Sequence, residues 1–164
     1  MIAAMDRNRV IGSKSGGISW DLPRDRNHFR NYTAAKWMLI GRATYEEMEG
    51  WFTDQIPIVI TRQIDYCPAH PDHRVATSIE EAIETAREHG ALELIVSGGA
   101  TLYAAALPLA NQLILTRIEH SFDGDLVFPD FENSDHWTLT SSEPWPSDHE
   151  NAYAMNLEIW QNSR

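Results

Sequence analysis

The chain has 164 residues, 43% of them hydrophobic, with 24 acidic against 13 basic side chains and a formal net charge of −11. That length and apolar content suit one domain with a real core and exclude a disordered chain. The acidity argues against nucleic-acid binding, whose footprint is a basic face, while local Arg and backbone N–H groups still admit small anions.

The predicted elements begin with a strand, Ile2–Met5, and a glycine-containing loop. A helix follows from Pro23, which suits a first turn because its missing N–H costs nothing there. Asp25 lies in that turn, and Phe29 and Tyr32 follow at helical spacing on the same face. A strand at Trp37–Ile40 leads to a capping box, Thr44-x-x-Glu47, that marks a helix through Met48. Strands are predicted next at Pro57–Thr61 and Arg74–Ala76. The helix Ser78–His89 has a capping box, Ser78-x-x-Glu81, places Ile79, Ala82, Ile83 and Ala86 on one face, and stops at Gly90. A strand at Leu92–Val96 and an Ala-rich helix, Leu102–Leu107, end at Pro108. The last three strands are Gln112–Ile118, Trp137–Ser142 and Ala152–Trp160. Strand–helix alternation followed by strands alone predicts a single α/β domain over residues 1–164. Its core would be a mixed, mostly parallel eight-stranded sheet flanked by about four helices, closed by an antiparallel C-terminal hairpin.

No apolar run reaches membrane-spanning length, and no basic-then-apolar leader opens the chain. Cys67 is the one cysteine, so no internal disulfide can form, and a cytoplasmic protein is expected.

Asp25 has two readings. An acid in a first turn meets the positive end of the helix dipole and needs no function. An acid on the apolar side of a helix, beside a loop that can close over it, costs free energy unless something polar docks there. Two strand-to-helix junctions add weight to the second. They are Leu39-Ile40-Gly41-Arg42-Ala43-Thr44 and Ile95-Val96-Ser97-Gly98-Gly99-Ala100-Thr101. Gly lets a ligand approach the backbone, and free N–H groups at a helix start attract anions. Each alone reads as a tight turn; together they point to a dinucleotide. Thr61-Arg62 ends a strand on the same expected face, where Arg62 is either solvated or holds an extra ribose phosphate. Cys67-x-x-His70-x-x-His73 has metal-ligand spacing but no second cluster to complete a set, so no metal is expected.

In this order the pieces resemble dihydrofolate reductase. The likeness is carried by Ile2-Ala3-Ala4-Met5, Asn8-Arg9-Val10-Ile11-Gly12, Trp20-Asp21-Leu22-Pro23 with Asp25, and Gly41-Arg42-x-Thr44-Tyr45. It continues through Ile58-Val59-Ile60-Thr61-Arg62, Ser97-Gly98-Gly99-Ala100-x-x-Tyr103, Leu115-Thr116-x-Ile118 and Asp123-Gly124-Asp125-x-x-Phe128-Pro129, so it spans nearly the whole chain.

The resemblance implies NADPH-dependent reduction of 7,8-dihydrofolate to tetrahydrofolate by a monomer. It makes Asp25 the pocket carboxylate that binds the pterin's 2-amino and N3 positions and assists protonation at N5. Thr116 would support that carboxylate and Trp20 would order a pocket water. Ala4, Ile18, Phe29, Arg30, Met48, Phe52 and Ser97 would contact the pterin substrate. Ala4, Ile11, Gly12, Gly41, Arg42, Ala43, Thr44, Thr61, Arg62, Ser97, Gly98, Gly99, Ala100, Thr101, Leu102 and Tyr103 would hold NADPH, with Thr61 and Arg62 on its 2′-phosphate. Residues 13–19 would form a mobile lid.

Three departures stand out. Gln55 occupies the position of a family Arg that grips the glutamate α-carboxylate, and a neutral amide cannot form a charged bidentate pair. At that site, expected at the pocket mouth, Arg30 or Arg26 would substitute. Ser97 replaces an apolar pocket residue, and Ser19 replaces a Pro before the pocket Trp. Gln55 therefore supports an alternative: a reductase of the same fold acting on a pterin or pyrimidine that lacks the glutamate tail.

Overall fold

The computed structural model describes residues 1–18 and 20–163. Its strands are β1 (Ile2–Met5), β2 (Val10–Gly12), β3 (Trp37–Gly41), β4 (Ile56–Ile60), β5 (Arg74–Ala76), β6 (Leu94–Val96), β7 (Gln112–Ile118), β8 (Leu126–Val127), β9 (Trp137–Trp145) and β10 (Met155–Asn162). Its helices are α1 (Pro23–Thr33), α2 (Arg42–Glu47), α3 (Ile79–Glu88) and α4 (Ala100–Ala106), the last followed by a 3₁₀ turn at Leu107–Leu109.

Hydrogen bonding divides the strands into two four-stranded sheets, β5-β4-β3-β6 and β1-β7-β10-β9, plus a small β2-β8 pair. The first sheet is wholly parallel. In the second, β1 runs parallel to β7, while β10 is antiparallel to both β7 and β9. The C-terminal hairpin is therefore as expected. The single eight-stranded sheet is corrected to two four-stranded sheets and a two-stranded pair, ten strands in all, the additions being β2 and β8. Neither addition shows period-two alternation, because strands of three and two residues are too short to carry it. The core ignores the break between ladders: Ile2 and Ile114 from one sheet pack with Met38 and Ile95 from the other.

The apolar run of β3 has the composition of a strand covered on both faces, and Met38, Leu39 and Ile40 are fully buried. Ser78 caps α3 as predicted, accepting from the Glu81 N–H at 3.1 Å. Glu81 turns its carboxylate to the backbone and hydroxyl of Thr77, both at 2.7 Å. The Thr44 capping box does not form. Helix α2 starts two residues earlier, at Arg42, so Thr44 is already helical and Gly41 stands at the cap without a side chain to offer. Likewise α4 starts at Ala100 rather than Leu102.

Candidate active site

The registers Gly41↔Ile60 and Leu39↔Val96 bring the carboxyl ends of β3, β4 and β6 to one edge of the parallel sheet. This is where open α/β sheets hold ligands. A cleft of about 1510 Å³ runs along that edge and on to the first turn of α1.

At the α1 end Asp25 lines the cleft and is partly buried. Burial pushes its carboxyl above the usual range, with the Thr116 hydroxyl pulling weakly the other way. Desolvation is the larger of these two effects and sets the direction of the shift. Trp20, 7% exposed, lines the same end and packs on Phe122 with ring centroids 5.0 Å apart. Among the described residues its indole N–H is buried and finds no hydrogen-bond partner. A buried donor left unpaired costs about 1–3 kcal/mol, so that end of the cleft is set for a polar occupant.

At the other end the two glycine junctions interlock. The Gly41 N–H donates to the Gly98 carbonyl at 2.7 Å, and the Gly98–Gly99 peptide is cis. A Cβ on Gly99 would stand 3.0 Å from Thr44 Oγ1, and one on Gly98, whose φ is +110°, would stand 3.2 Å from the Tyr103 ring. Only glycine fits this cradle. Neither α2 nor α4 has a side-chain N-cap, which leaves first-turn N–H groups at the cleft wall for an anion. Arg42 and Arg62 line the same stretch. The first-turn N–H groups and these two cations, Arg42 being paired with Glu46 at 2.9 Å, fit the phosphates of a dinucleotide. Tyr103 ties the two ends together: its buried hydroxyl donates to the Ile2 carbonyl at 2.7 Å.

Of the residues singled out from the sequence, Ala4, Ile11, Gly12, Ile18, Phe29, Met48, Ala43, Thr44, Thr61 and Ser97 also line the cleft, as do Ala100, Thr101 and Leu102. Three stand elsewhere. Thr116 is 2% exposed, behind Asp25. Phe52 is set one layer back, stacked on Tyr45 at 5.3 Å and 17°. Arg30 lays its guanidinium 4.7 Å over the Trp51 ring. Gln55 is not at the pocket mouth. It is 5% exposed, its Oε1 accepts from Thr53 N–H at 3.0 Å, and its Nε2 reaches Thr33 Oγ1 at 3.5 Å.

The loop expected as a lid contributes Ser13, Lys14, Gly17 and Ile18 to the cleft. The Lys14 N–H is docked on Asp125 Oδ1 at 2.7 Å. Ser19 lies outside the described residues. Sequence reading missed Trp51, which packs on Phe29 at 5.1 Å and lines the cleft, and the Thr77–Glu80 segment at the start of α3. A Ser cap after a strand was the available signal for the latter; nothing in the local pattern marked the former. The Cys67-x-x-His70-x-x-His73 loop turns to other work, with His73 Nδ1 2.6 Å from the Tyr45 hydroxyl. Among the described residues no three His, Cys, Asp or Glu side chains are grouped to hold a metal.

Comparison with known proteins gives one answer. A family model described as dihydrofolate reductase matches residues 1–162. The chain is 36% identical over 160 residues to a dihydrofolate reductase of Bacillus subtilis, covering 98% of this chain and 92% of that protein. It is 35% identical over 143 residues to the type A13 dihydrofolate reductase of Escherichia coli, covering 87% and 84% of the two. A solved structure of the dihydrofolate reductase from Enterococcus faecalis, complexed with NADP(H) and RAB-propyl, superposes with a TM-score of 0.88 at 30% identity, over 99% of this chain and 95% of that one.

Proposed function

Because the chain belongs to the dihydrofolate reductase family, we propose that the Asp25 end of the cleft binds the pterin and the glycine cradle binds the nicotinamide dinucleotide. The protein is an NADP-dependent oxidoreductase that reduces dihydrofolate. The observation that carries the residue assignment is the position of Asp25. It is an acid in the first turn of α1 whose proton burial holds more tightly than usual, lining the same cleft as Trp20, whose buried indole N–H has no partner among the described residues.

NADPH, when bound, supplies the hydride that adds to C6 of the dihydropterin. The imine accepts it more readily once N5 carries a proton. Asp25 holds the 2-amino and N3 edge of the ring and assists that protonation, since burial makes its carboxyl hold a proton more tightly than an exposed acid does. Thr116 supports the carboxyl from behind, and the unpaired Trp20 N–H would hold a pocket water. Gly41, Gly98 and Gly99 let the phosphates approach the backbone, and Arg42 and Arg62 neutralise them. The lid residues exclude water, which strengthens every charge interaction beneath them.

The enzyme acts as a monomer in the cytoplasm on this reading. The exposed, unpaired Cys67 suits a reducing compartment. The decisive experiment follows NADPH oxidation by absorbance with dihydrofolate present and absent, in wild type and Asp25→Asn. Oxidation that needs dihydrofolate and collapses in the variant supports the assignment. Oxidation unaffected by the substitution removes Asp25 from the chemistry.

A further inference from the structure

We infer that Asn151 and Asp148, in the loop between β9 and β10, are positioning residues for Asp25: they clamp the first turn of α1 from outside the helix. This rests on the reductase reading above and adds to it the part of the chain that sets the acid in place.

Helix α1 brings no side-chain cap of its own. Its N-cap residue is Leu22, which has no oxygen to offer, and Pro23 has no N–H. The Arg26 N–H closes the first turn on the Leu22 carbonyl at 3.0 Å. The Arg24 N–H, one residue before Asp25, is left for an outside acceptor. Asn151 Oδ1 supplies it at 3.0 Å, from 127 residues further along the chain. Asn151 is 2% exposed, and its Nδ2 donates to Asp148 Oδ1 at 2.8 Å, which turns the amide oxygen toward α1. The same Asp148 Oδ1 accepts the N–H groups of Glu150 at 2.9 Å and Asn151 at 2.7 Å, and the Asp148 N–H donates to the Asn151 carbonyl at 2.9 Å. The turn is therefore closed on itself before it meets the helix. The Arg24 side chain completes the grip, with Nη1 on the Pro146 carbonyl at 3.0 Å and Nη2 on Asp148 Oδ2 at 2.5 Å.

The loop leads directly into the strand behind the acid. Met155, which opens β10, is buried with Trp20 and Leu22, and Tyr153 packs on Phe122, the ring that covers Trp20. Two residues on, Leu157 stands opposite Thr116 in the β7–β10 ladder. One segment thus fixes Asp25 from two sides, through Thr116 beneath its carboxyl and through Asn151 on the preceding N–H. Arg24, Asp148 and Asn151 are not among the residues that line the cleft, so their effect on the reaction passes through the placement of Asp25. Such placement is sensitive, since a shift of about 1 Å in a reacting group can lower a rate about 10²-fold.

The test measures kcat, KM for dihydrofolate and the titration midpoint of Asp25 in wild type, Asn151→Ala, Asp148→Ala, Asp148→Asn and Ala86→Gly. The midpoint is read in the unliganded protein by carboxyl-carbon NMR, with Asp25→Asn to assign the signal. Tyr103 of α4, whose hydroxyl feels the Asp25 charge, and Thr116 of β7 stay in place in every variant. Asn151→Ala should lower kcat by roughly tenfold with a smaller effect on KM, as for a misplaced catalytic group. Water admitted around a loosened first turn should bring the midpoint down toward the ordinary carboxylate value. Asp148→Ala should do the same. Asp148→Asn removes the same charge but keeps an acceptor, so it should restore most of both values and separate placement from electrostatics. Should Asn151→Ala fail to fold, the two Asp148 variants carry the same comparison. Ala86→Gly, in α3 and away from the cleft, should lose stability alone. If kcat and midpoint in Asn151→Ala and Asp148→Ala change no more than in Ala86→Gly, the inference is overturned, whatever happens to Tm. If wild type does not reduce dihydrofolate, the reductase reading fails, and the Asp25 midpoint still decides whether the clamp holds the acid.

Discussion

Thr116 lies directly opposite Ala4 in the parallel β1–β7 ladder, and that one register puts a hydroxyl from the sheet interior beneath the Asp25 carboxyl. The two residues are far apart in sequence, and the helix bearing Asp25 is joined to neither strand by a ladder. Sheet register therefore decides what supports the acid. Asp25→Asn keeps the size and one acceptor, so the fold should survive. Turnover should fall by roughly 10²-fold near neutral pH, the scale of lost proton-transfer assistance. Steady-state kinetics with NADPH and dihydrofolate check this, with far-ultraviolet circular dichroism as the control for folding.

The pH dependence has a definite sign. Burial holds the Asp25 carboxyl above its ordinary value. An acid whose pKa is raised by folding binds more protons in the folded state between its unfolded and folded values. Its favourable contribution is complete below the unfolded pKa and is lost as pH rises through the folded one. Two measurements follow. The rate of the hydride step should fall as pH increases through the raised pKa. The stability of Asp25→Asn relative to wild type should improve over the same window, seen by urea denaturation at a series of pH values. A relative stability that does not vary with pH would show that Asp25 is not desolvated.

Much of this site was legible because its signals are local. Pro23 and Asp25 mark a helix start whichever way the chain folds. The Ser78 cap formed as expected because its partner is three residues away. The Gly41 and Gly98-Gly99 junctions announced close backbone approach. What stayed hidden depends on distant partners. The Thr44 pattern matched a capping box, yet the helix begins two residues upstream, where Gly41 is pinned to Gly98 in the loop after β6. Gln55 looked like a cleft residue by analogy, and only the packing of the turn on Thr33 shows it to be buried. The break between the two sheets has no sequence signature, since the strands on either side of it are equally apolar.

Cofactor preference offers a second kinetic test. Thr61 is buried and its Oγ1 accepts the Gln63 N–H at 3.1 Å, which fixes the turn that exposes Arg62 to the cleft. Arg62 on a 2′-phosphate should favour NADPH over NADH by about 1.5–3 kcal/mol. Arg62→Ser should remove most of that preference, chiefly through KM for NADPH, and the loss should be smaller at high ionic strength. Equal KM values for both cofactors in wild type would remove this role from Arg62.

Gln55 should behave as a structural residue. Gln55→Ala removes the acceptor of the Thr53 N–H in a partly buried turn and the buried donor that reaches Thr33 Oγ1. The cost should be about 0.5–1.5 kcal/mol, the net contribution of a hydrogen bond. Equilibrium urea unfolding reads this directly, and KM for dihydrofolate should hardly change. A large KM effect with unaltered stability would return Gln55 to the substrate site.

Gly124 tests how the lid is seated. A Cβ there would meet Val10 Cγ1 at 2.4 Å and the Gly12 carbonyl oxygen at 2.6 Å. Val10 is buried, and Gly12 is held in the β2–β8 pair opposite Leu126, so neither can step aside cheaply. The next residue, Asp125, receives the Lys14 N–H of the lid. Gly124→Ala should therefore lever β2 away from β8 and loosen the loop over the cleft together. Overpacking of this kind costs about 1–3 kcal/mol, which lowers Tm by several degrees in a domain of this size. Because Gly12 and Leu126 line the cleft, KM for NADPH should rise in the same variant. Gly50→Ala is the control. Its added Cβ meets nothing within 4 Å, so it carries only the strain of a positive φ. It should lower Tm while leaving KM for NADPH in place. If Gly124→Ala melted like Gly50→Ala and bound NADPH like wild type, the β2–β8 contact would not be what seats the lid.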